Sequence, residues 1–357
     1  MYEIVTFVLS IATLWTSLNF LYRIVLARRF GKSVKLYYGV ALIVRKSSRI
    51  SPFARLKLKL LVLVGIAVYT ISLAVSLATL VSSVLYSIET GSRSIILLLP
   101  GINILGEDLL FLLLAIFTGV LLHEYLHAKF AVSSGIPVKS WGFVLALFIP
   151  AAFVEVDDEA LEKSSRLTKI AVLSAGLAGN LLILMLALGV LQLILNPYGL
   201  VVVSVEPGSL AMESGLKPYD VVYYINGVEA TLQLLKEQMS QDTGLQLILT
   251  VYRSGEGFRN IVVYKKANET VLGITLIPVA PKKPLLVIGA VVFTYLYKML
   301  LWIYLVNFSL LFINALPLFI TDGGRIVYYI AGERAGTAIN VLATALLVLM
   351  LAVGGRV

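Results

Sequence analysis

Residues 109–131 read LLFLLLAIFTGVLLHEYLHAKFA, an apolar run of helical length whose second half carries His123, Glu124, His127 and Lys129. About 20 apolar residues let a helix cross the hydrocarbon core of a bilayer, so this run is a candidate span. Each ionisable residue inside such a span costs about 2.5–3.5 kcal/mol by insertion scales, and residues kept there at that cost mark a pathway or a site. His123 and His127 are the only two histidines in the chain. Four apart on a helix, they project from one face one turn from each other, so both imidazoles can reach one metal ion. Glu124 beside the first of them can take a proton from the attacking water as general base. With a helix starting near Leu109, His123 lies about 21 Å along it and about 9 Å short of Lys129, at ~1.5 Å per residue.

The rest of the chain supports the membrane setting. Of 357 residues 59% are hydrophobic and 14% charged, against roughly a quarter charged in soluble domains. There is no cysteine, which removes disulfides, thiolate ligands and thiol nucleophiles. Net charge is +9, and ten Lys or Arg with no acid fall in residues 28–59. That block reads as a cytoplasmic loop under the positive-inside rule and not as a nucleic-acid patch. Apolar runs at 2–26, 60–87, 109–131, 168–195, 284–316 and 336–353 suggest about six spans. Residues 142–154, GFVLALFIPAAFV, are too short to span and contain Pro150, so a re-entrant segment is expected there. The acidic stretch after it reads as a return to water. Residues 198–280 alternate in period two, with Asn226-Gly227 as a hairpin signal, and read as a small α+β domain inserted between spans. Four regions follow: 1–59, 60–197, 198–280 and 281–357. Counting spans from the basic loop puts the metal motif nearer the cytoplasmic face and the inserted domain outside. Lys282 and Lys283 then stand against the rule on the outer side.

A catalytic zinc takes a third protein ligand and keeps one position open. With no further histidine, that ligand is a carboxylate. Glu107 and Asp108 start the same helix, roughly 20 Å from the motif or more. Glu155, Asp157 and Asp158 remain in play, but Asp322 is the best candidate. It follows NALPLFITDGG, where Asn314 and Pro317 break a span and Gly323-Gly324 permit a sharp turn. Asn180 in SAGLAGN and Asn314 admit two readings each: helix-to-helix hydrogen bonding, or donation to the substrate carbonyl or oxyanion.

At HEYLH, SAGLAGN and NALPLFITDG the chain resembles the site-2 protease family of intramembrane zinc metalloproteases, on its eukaryotic-like branch, over residues 98–325. The resemblance implies His123, His127 and Asp322 as zinc ligands, Glu124 as catalytic acid/base and Asn180 near the substrate. Leu177 stands where many members have proline. The inserted region is similar to a PDZ domain of the permuted kind, through VVSVEPGSLAMESGLKPYDVVYYING, with Tyr219 in place of the usual glycine. The implied protein is a polytopic α-helical membrane protein with an inserted PDZ-like domain. It performs regulated intramembrane proteolysis with Zn2+, on substrates that carry a transmembrane helix. A peptide C-terminus is a candidate ligand of the PDZ-like domain near Tyr198-Gly199-Leu200. The expected location is the cell membrane. Two alternatives stand beside this reading: a membrane zinc protease with a Glu third ligand, and a non-catalytic PDZ scaffold.

Overall fold

The computed structural model describes residues 2–37, 39–47, 57–91, 98–267 and 269–353; Arg49 and Arg55 of the basic block fall outside them. The chain forms two compact units, residues 1–187 with 301–357, and residues 188–300. It begins with α1 (Tyr2–Leu21), a π-turn over Tyr22–Leu26, and α2 (Ala27–Phe30). The basic block, expected as a loop, instead contains two strands, β1 (Val34–Tyr37) and β2 (Ala41–Lys46). After α3 (Leu58–Thr90) and α4 (Gly106–Ser133) come β3 (Val138–Ala146) and β4 (Ile149–Val156). The four strands form one antiparallel sheet in the order β1-β2-β3-β4, with β4 at its edge.

The segment expected to be re-entrant, 142–154, is thus the hairpin of β3 and β4. Backbone N–H and C=O groups away from water must be paired, and a sheet pairs them as a helix does. The strand signal was hidden because Phe143, Val144, Leu145, Ala151, Ala152 and Phe153 are apolar on both faces, which erases the period of two. Pro150 is tolerated near the start of an edge strand. A two-residue turn joins β3 to β4, and its Leu147 sits at φ +55°.

Three helices follow: α5 (Asp158–Glu162), α6 (Arg166–Leu173) and α7 (Ala175–Ile194), the last two parted only at Ser174. The Ser174 hydroxyl donates to the Ile170 carbonyl at 2.7 Å, a local bond that competes with the helical ladder.

From the last turns of α7 the second unit continues through β5 (Leu195–Asn196), β6 (Leu200–Val205), α8 (Leu210–Glu213), β7 (Val221–Ile225), β8 (Val228–Glu229) and α9 (Leu232–Ser240). Then come β9 (Leu245–Arg253), β10 (Gly257–Lys265), β11 (Ile274–Ile277) and β12 (Ala280–Pro281), which pairs with β5. The main sheet runs β10-β9-β7-β6-β11, with β8 on β7. Leu247, Leu249, Val251, Ile261 and Val263 turn one face toward α8 and α9. Tyr198-Gly199-Leu200 leads into an inner strand, already paired on both sides, whereas β11 is an edge. Tyr219 sits at φ +67°, where glycine is the unstrained residue, and its N–H donates to Val202.

Asp220 is fully buried and accepts two hydrogen bonds from Arg253, from Nε at 2.7 Å and Nη2 at 2.6 Å, while Nη2 also donates to the Gly215 carbonyl. The carboxylate holds the guanidinium above its ordinary pKa. Removing one partner of such a pair strands a buried charge. Arg253→Ala should therefore destabilise this unit by about 3–5 kcal/mol, read as an earlier proteolytic nick within 188–300 of the full chain.

The chain returns to the first unit along α10 (Ala290–Ala315), after a 3-10 turn over Lys283–Ile288, and ends in α11 (Asp322–Ala331) and α12 (Glu333–Val353). Buried Ser72, Ser76, Ser83 and Ser87 form a small-residue seam on α3, and Ser76 donates to the Phe312 carbonyl of α10 at 3.2 Å. Five helices among the described residues are long and apolar enough to cross a membrane: 5–30, 59–90, 106–133, 166–194 and 290–315. The sixth expected span is helical as α12 but is not among these five.

Candidate metal centre

Helix α4 sets His123 and His127 one turn apart, and their Nε2 atoms lie 3.1 Å from each other. Asp322 meets them from the first residue of α11. Its Oδ2 is 3.3 Å from His123 Nε2 and 3.2 Å from His127 Nε2. A tetrahedral zinc ion with ligands at about 2.0–2.1 Å holds them about 3.3 Å apart, so the triangle has the size the ion requires. Two neutral imidazoles and a carboxylate are a fitting donor set for it. Among the described residues these are the groups that can hold a metal ion, while Glu155, Asp157 and Asp158 are paired with Arg45, Lys139 and Arg325.

The remaining ring nitrogens fix the tautomers. His127 Nδ1 donates to the Val172 carbonyl at 2.8 Å. His123 Nδ1 lies 3.1 Å from the Asn180 amide. With Nε2 turned to the metal, Nδ1 must carry the proton, so Asn180 has to present its oxygen. Turning the amide over, so that Oδ1 and not Nδ2 faces His123, gives the buried and otherwise unpartnered Oδ1 its donor. Asn180 thus touches the back of His123, across from the helix that carries the motif.

Glycines let the helices come this close. A Cβ on Gly176 would lie 2.3 Å from His123 Cε1 and 2.4 Å from His127 Nε2. Gly323 and Gly324 allow no side chain either, since their Cβ atoms would meet the Ala315 oxygen at 2.3 Å and the Leu318 oxygen at 1.8 Å. The expected turn at this pair is instead a close approach between α11 and the end of α10. Thr321 caps α11, accepting from the Gly324 N–H at 3.2 Å and donating to the Leu316 carbonyl at 2.7 Å. Asn340 on α12 donates to the Gly324 carbonyl at 3.3 Å. Asp322 is therefore held by a turn that is itself pinned from both sides.

Glu124 lies in the same cavity, of about 430 Å³, which is also lined by Asn314, Val154, Glu155 and Arg325. One Glu124 oxygen accepts from the Val154 N–H at 2.9 Å. That amide points off the free edge of β4, so the acid is hung between the metal cluster and a strand edge. The acidic stretch that begins at the end of β4 is paired with cations from four elements. Glu155 pairs with Arg45, Asp157 with Lys139 at 3.4 Å, Asp158 with Arg325 at 3.4 Å, and Glu162 with Lys169 at 2.9 Å. The Asp157 carboxylate, which also accepts from the Ala160 N–H, sits below its usual pKa. Val172, Val154 and Gly176 carry no chemical signal in the sequence. Only the small-residue pattern of SAGLAGN hinted at the last of them.

Helices of membrane-crossing length that bring two histidines, an aspartate and a glutamate into one cavity define a membrane protein of the metallopeptidase class. The model of peptidase family M50 matches residues 111–353, which contain all of these groups, and the chain belongs to that family, the site-2 proteases. Members of the family are zinc metalloproteases. The chain is also similar to an uncharacterized protein of Methanocaldococcus jannaschii, 31% identical over 218 residues. That match covers 59% of this chain and 54% of the relative, so the chain spans about half the length of the curated relative it matches.

Proposed function

We propose that the chain is an intramembrane zinc metalloprotease that hydrolyses peptide bonds within transmembrane segments of other membrane proteins, in regulated intramembrane proteolysis. The observation that carries the reading is the His123, His127 and Asp322 triangle with Glu124 beside it, built on helices of membrane-crossing length. His123, His127 and Asp322 would hold the metal. A zinc ion bound there supplies Lewis-acid polarisation of the scissile carbonyl and of a water molecule.

The protein's own groups do the rest. Glu124 takes the proton of the attacking water and returns it to the leaving amine. Asn180 and the Val172 carbonyl orient the two imidazoles through their Nδ1 protons. Asn314, on the cavity wall, donates to the substrate carbonyl. An intact substrate helix hides its carbonyls in backbone hydrogen bonds, so cleavage needs an extended stretch. The free edge of β4 offers such a stretch strand pairing beside Glu124. In the inserted unit, the free edge of β11 is the better place for a peptide C-terminus than Tyr198-Gly199-Leu200, whose following strand has no open side. The ion-pair pattern supports a cytoplasm-facing mouth, since Arg45 of the basic block pairs with Glu155 on the cavity wall.

The reading is tested on the full chain reconstituted with a model transmembrane substrate. Chelation should stop cleavage and added zinc should restore it; cleavage indifferent to chelation would sink the proposal. Asn180→Ala should weaken metal affinity about 10–100-fold, as loss of an outer partner to a ligand does. Asn180→Asp, which keeps an acceptor for His123 Nδ1, should recover much of it. A titration with a competing chelator reads both.

A further inference from the structure

Lys282 and Lys283 are the residues that fit the charge rule worst, and the structure gives each a specific use. The Lys282 ammonium donates to the Gln192 carbonyl at 2.9 Å, in the last turn of α7. The Lys283 ammonium lies over two aromatic rings, 5.8 Å from the centre of Tyr224 and 6.0 Å from that of Phe258. Both lysines therefore sit where one span ends and the next begins.

Phe258 belongs to an aromatic patch on the face of the β7–β9–β10 sheet turned away from α8 and α9. It lies 5.3 Å from its cross-strand partner Tyr252 and 5.8 Å from Tyr223, measured between ring centres. Tyr223 in turn packs with Leu286, Ala290 and Phe293, at the start of α10. Helix α10 has 26 residues, about 39 Å at ~1.5 Å per residue, against about 30 Å of hydrocarbon. Its surplus length sits at the Tyr- and Lys-bearing end, AVVFTYLYK, in keeping with a headgroup-level segment. The sheet face that packs on those first turns is then at headgroup depth too. Phe258 is half exposed, at 50%, on a face that also leaves Ile248 and Tyr264 exposed.

We propose that this patch, Tyr224, Tyr252 and Phe258 with Lys283, rests in the headgroup layer of the bilayer and anchors the inserted unit to the membrane surface. Aromatic rings with one polar edge favour that layer, and an ammonium held over them is placed to meet lipid phosphate.

The cysteine-free chain lets single labels report without background. An environment-sensitive fluorophore is placed on Phe258→Cys, with Val287→Cys beside the start of α10 and Lys236→Cys on α9 as comparisons. The full protein is reconstituted in phosphatidylcholine–phosphatidylglycerol nanodiscs containing a headgroup-nitroxide lipid. The proposal expects loss of emission at 258 comparable to that at 287, and little loss at 236. A label at 258 that behaves like the one at 236 overturns it. So does a label at 258 that is shielded only when a transmembrane substrate is added, which would give the patch to the substrate.

Discussion

Glu124→Gln is expected to abolish peptide hydrolysis while leaving the metal in place. Loss of a positioned general base costs about 10²–10⁴-fold in rate, and here the same group also serves the leaving amine. The glutamine is the informative substitution because its side-chain oxygen can still accept from the Val154 N–H, a bond of 2.9 Å in the native chain. The link between α4 and the edge of β4 is thus preserved, and so are His123, His127 and Asp322. Single-turnover cleavage of a transmembrane substrate, measured beside the zinc content of the same preparation, separates the outcomes. Near-wild-type cleavage with the metal retained would remove Glu124 from the chemistry.

Asp322→Ala is expected to empty the site. Two histidines one turn apart remain, but the one carboxylate among the described residues that lies within reach of both Nε2 atoms, at 3.2 and 3.3 Å, is gone. The helix itself should persist, since its cap is Thr321 and its close contacts are made by Gly323 and Gly324. Zinc per chain after dialysis should fall from about one toward none, and activity with it. Glu155→Ala serves as the counterpart. Glu155 is paired with Arg45 and lies outside the ligand triangle, so its loss should leave the zinc content unchanged. The reverse pattern would give the third ligand to Glu155 and revive the alternative in which a glutamate completes the site.

The parts of this protein that were readable in its sequence are those where one residue type has one physical reason to be present. Histidines at a helical spacing inside an apolar run have little to do there but bind, and the run itself declares a span. Asp322 was reachable because a broken helix and a third-ligand requirement met at one place. Residues 198–280, whose half-buried strands keep their alternation, lie within the compact unit of 188–300. The four-stranded sheet was invisible for the opposite reason. Strands apolar on both faces look like short pieces of span, and the pairing of the basic block with residues 138–146 is a long-range event with no local sign. The backbone partners of the site, the Val172 carbonyl and the Val154 amide, were equally silent, because any residue supplies those groups. Asn180 was recognised as a polar residue out of place, but its neighbour, the Nδ1 of His123, depends on how α4 and α7 pack.

The central claim is that hydrolysis takes place within a membrane-spanning segment, and the position of the cut tests it most directly. Wild-type chain in proteoliposomes is given a substrate with one defined transmembrane helix, and the products are weighed by mass spectrometry. The account predicts new termini inside the apolar segment, toward its cytoplasmic half, and none when the metal is chelated. Termini confined to the water-exposed flanks of the substrate, with the apolar segment intact, would contradict it.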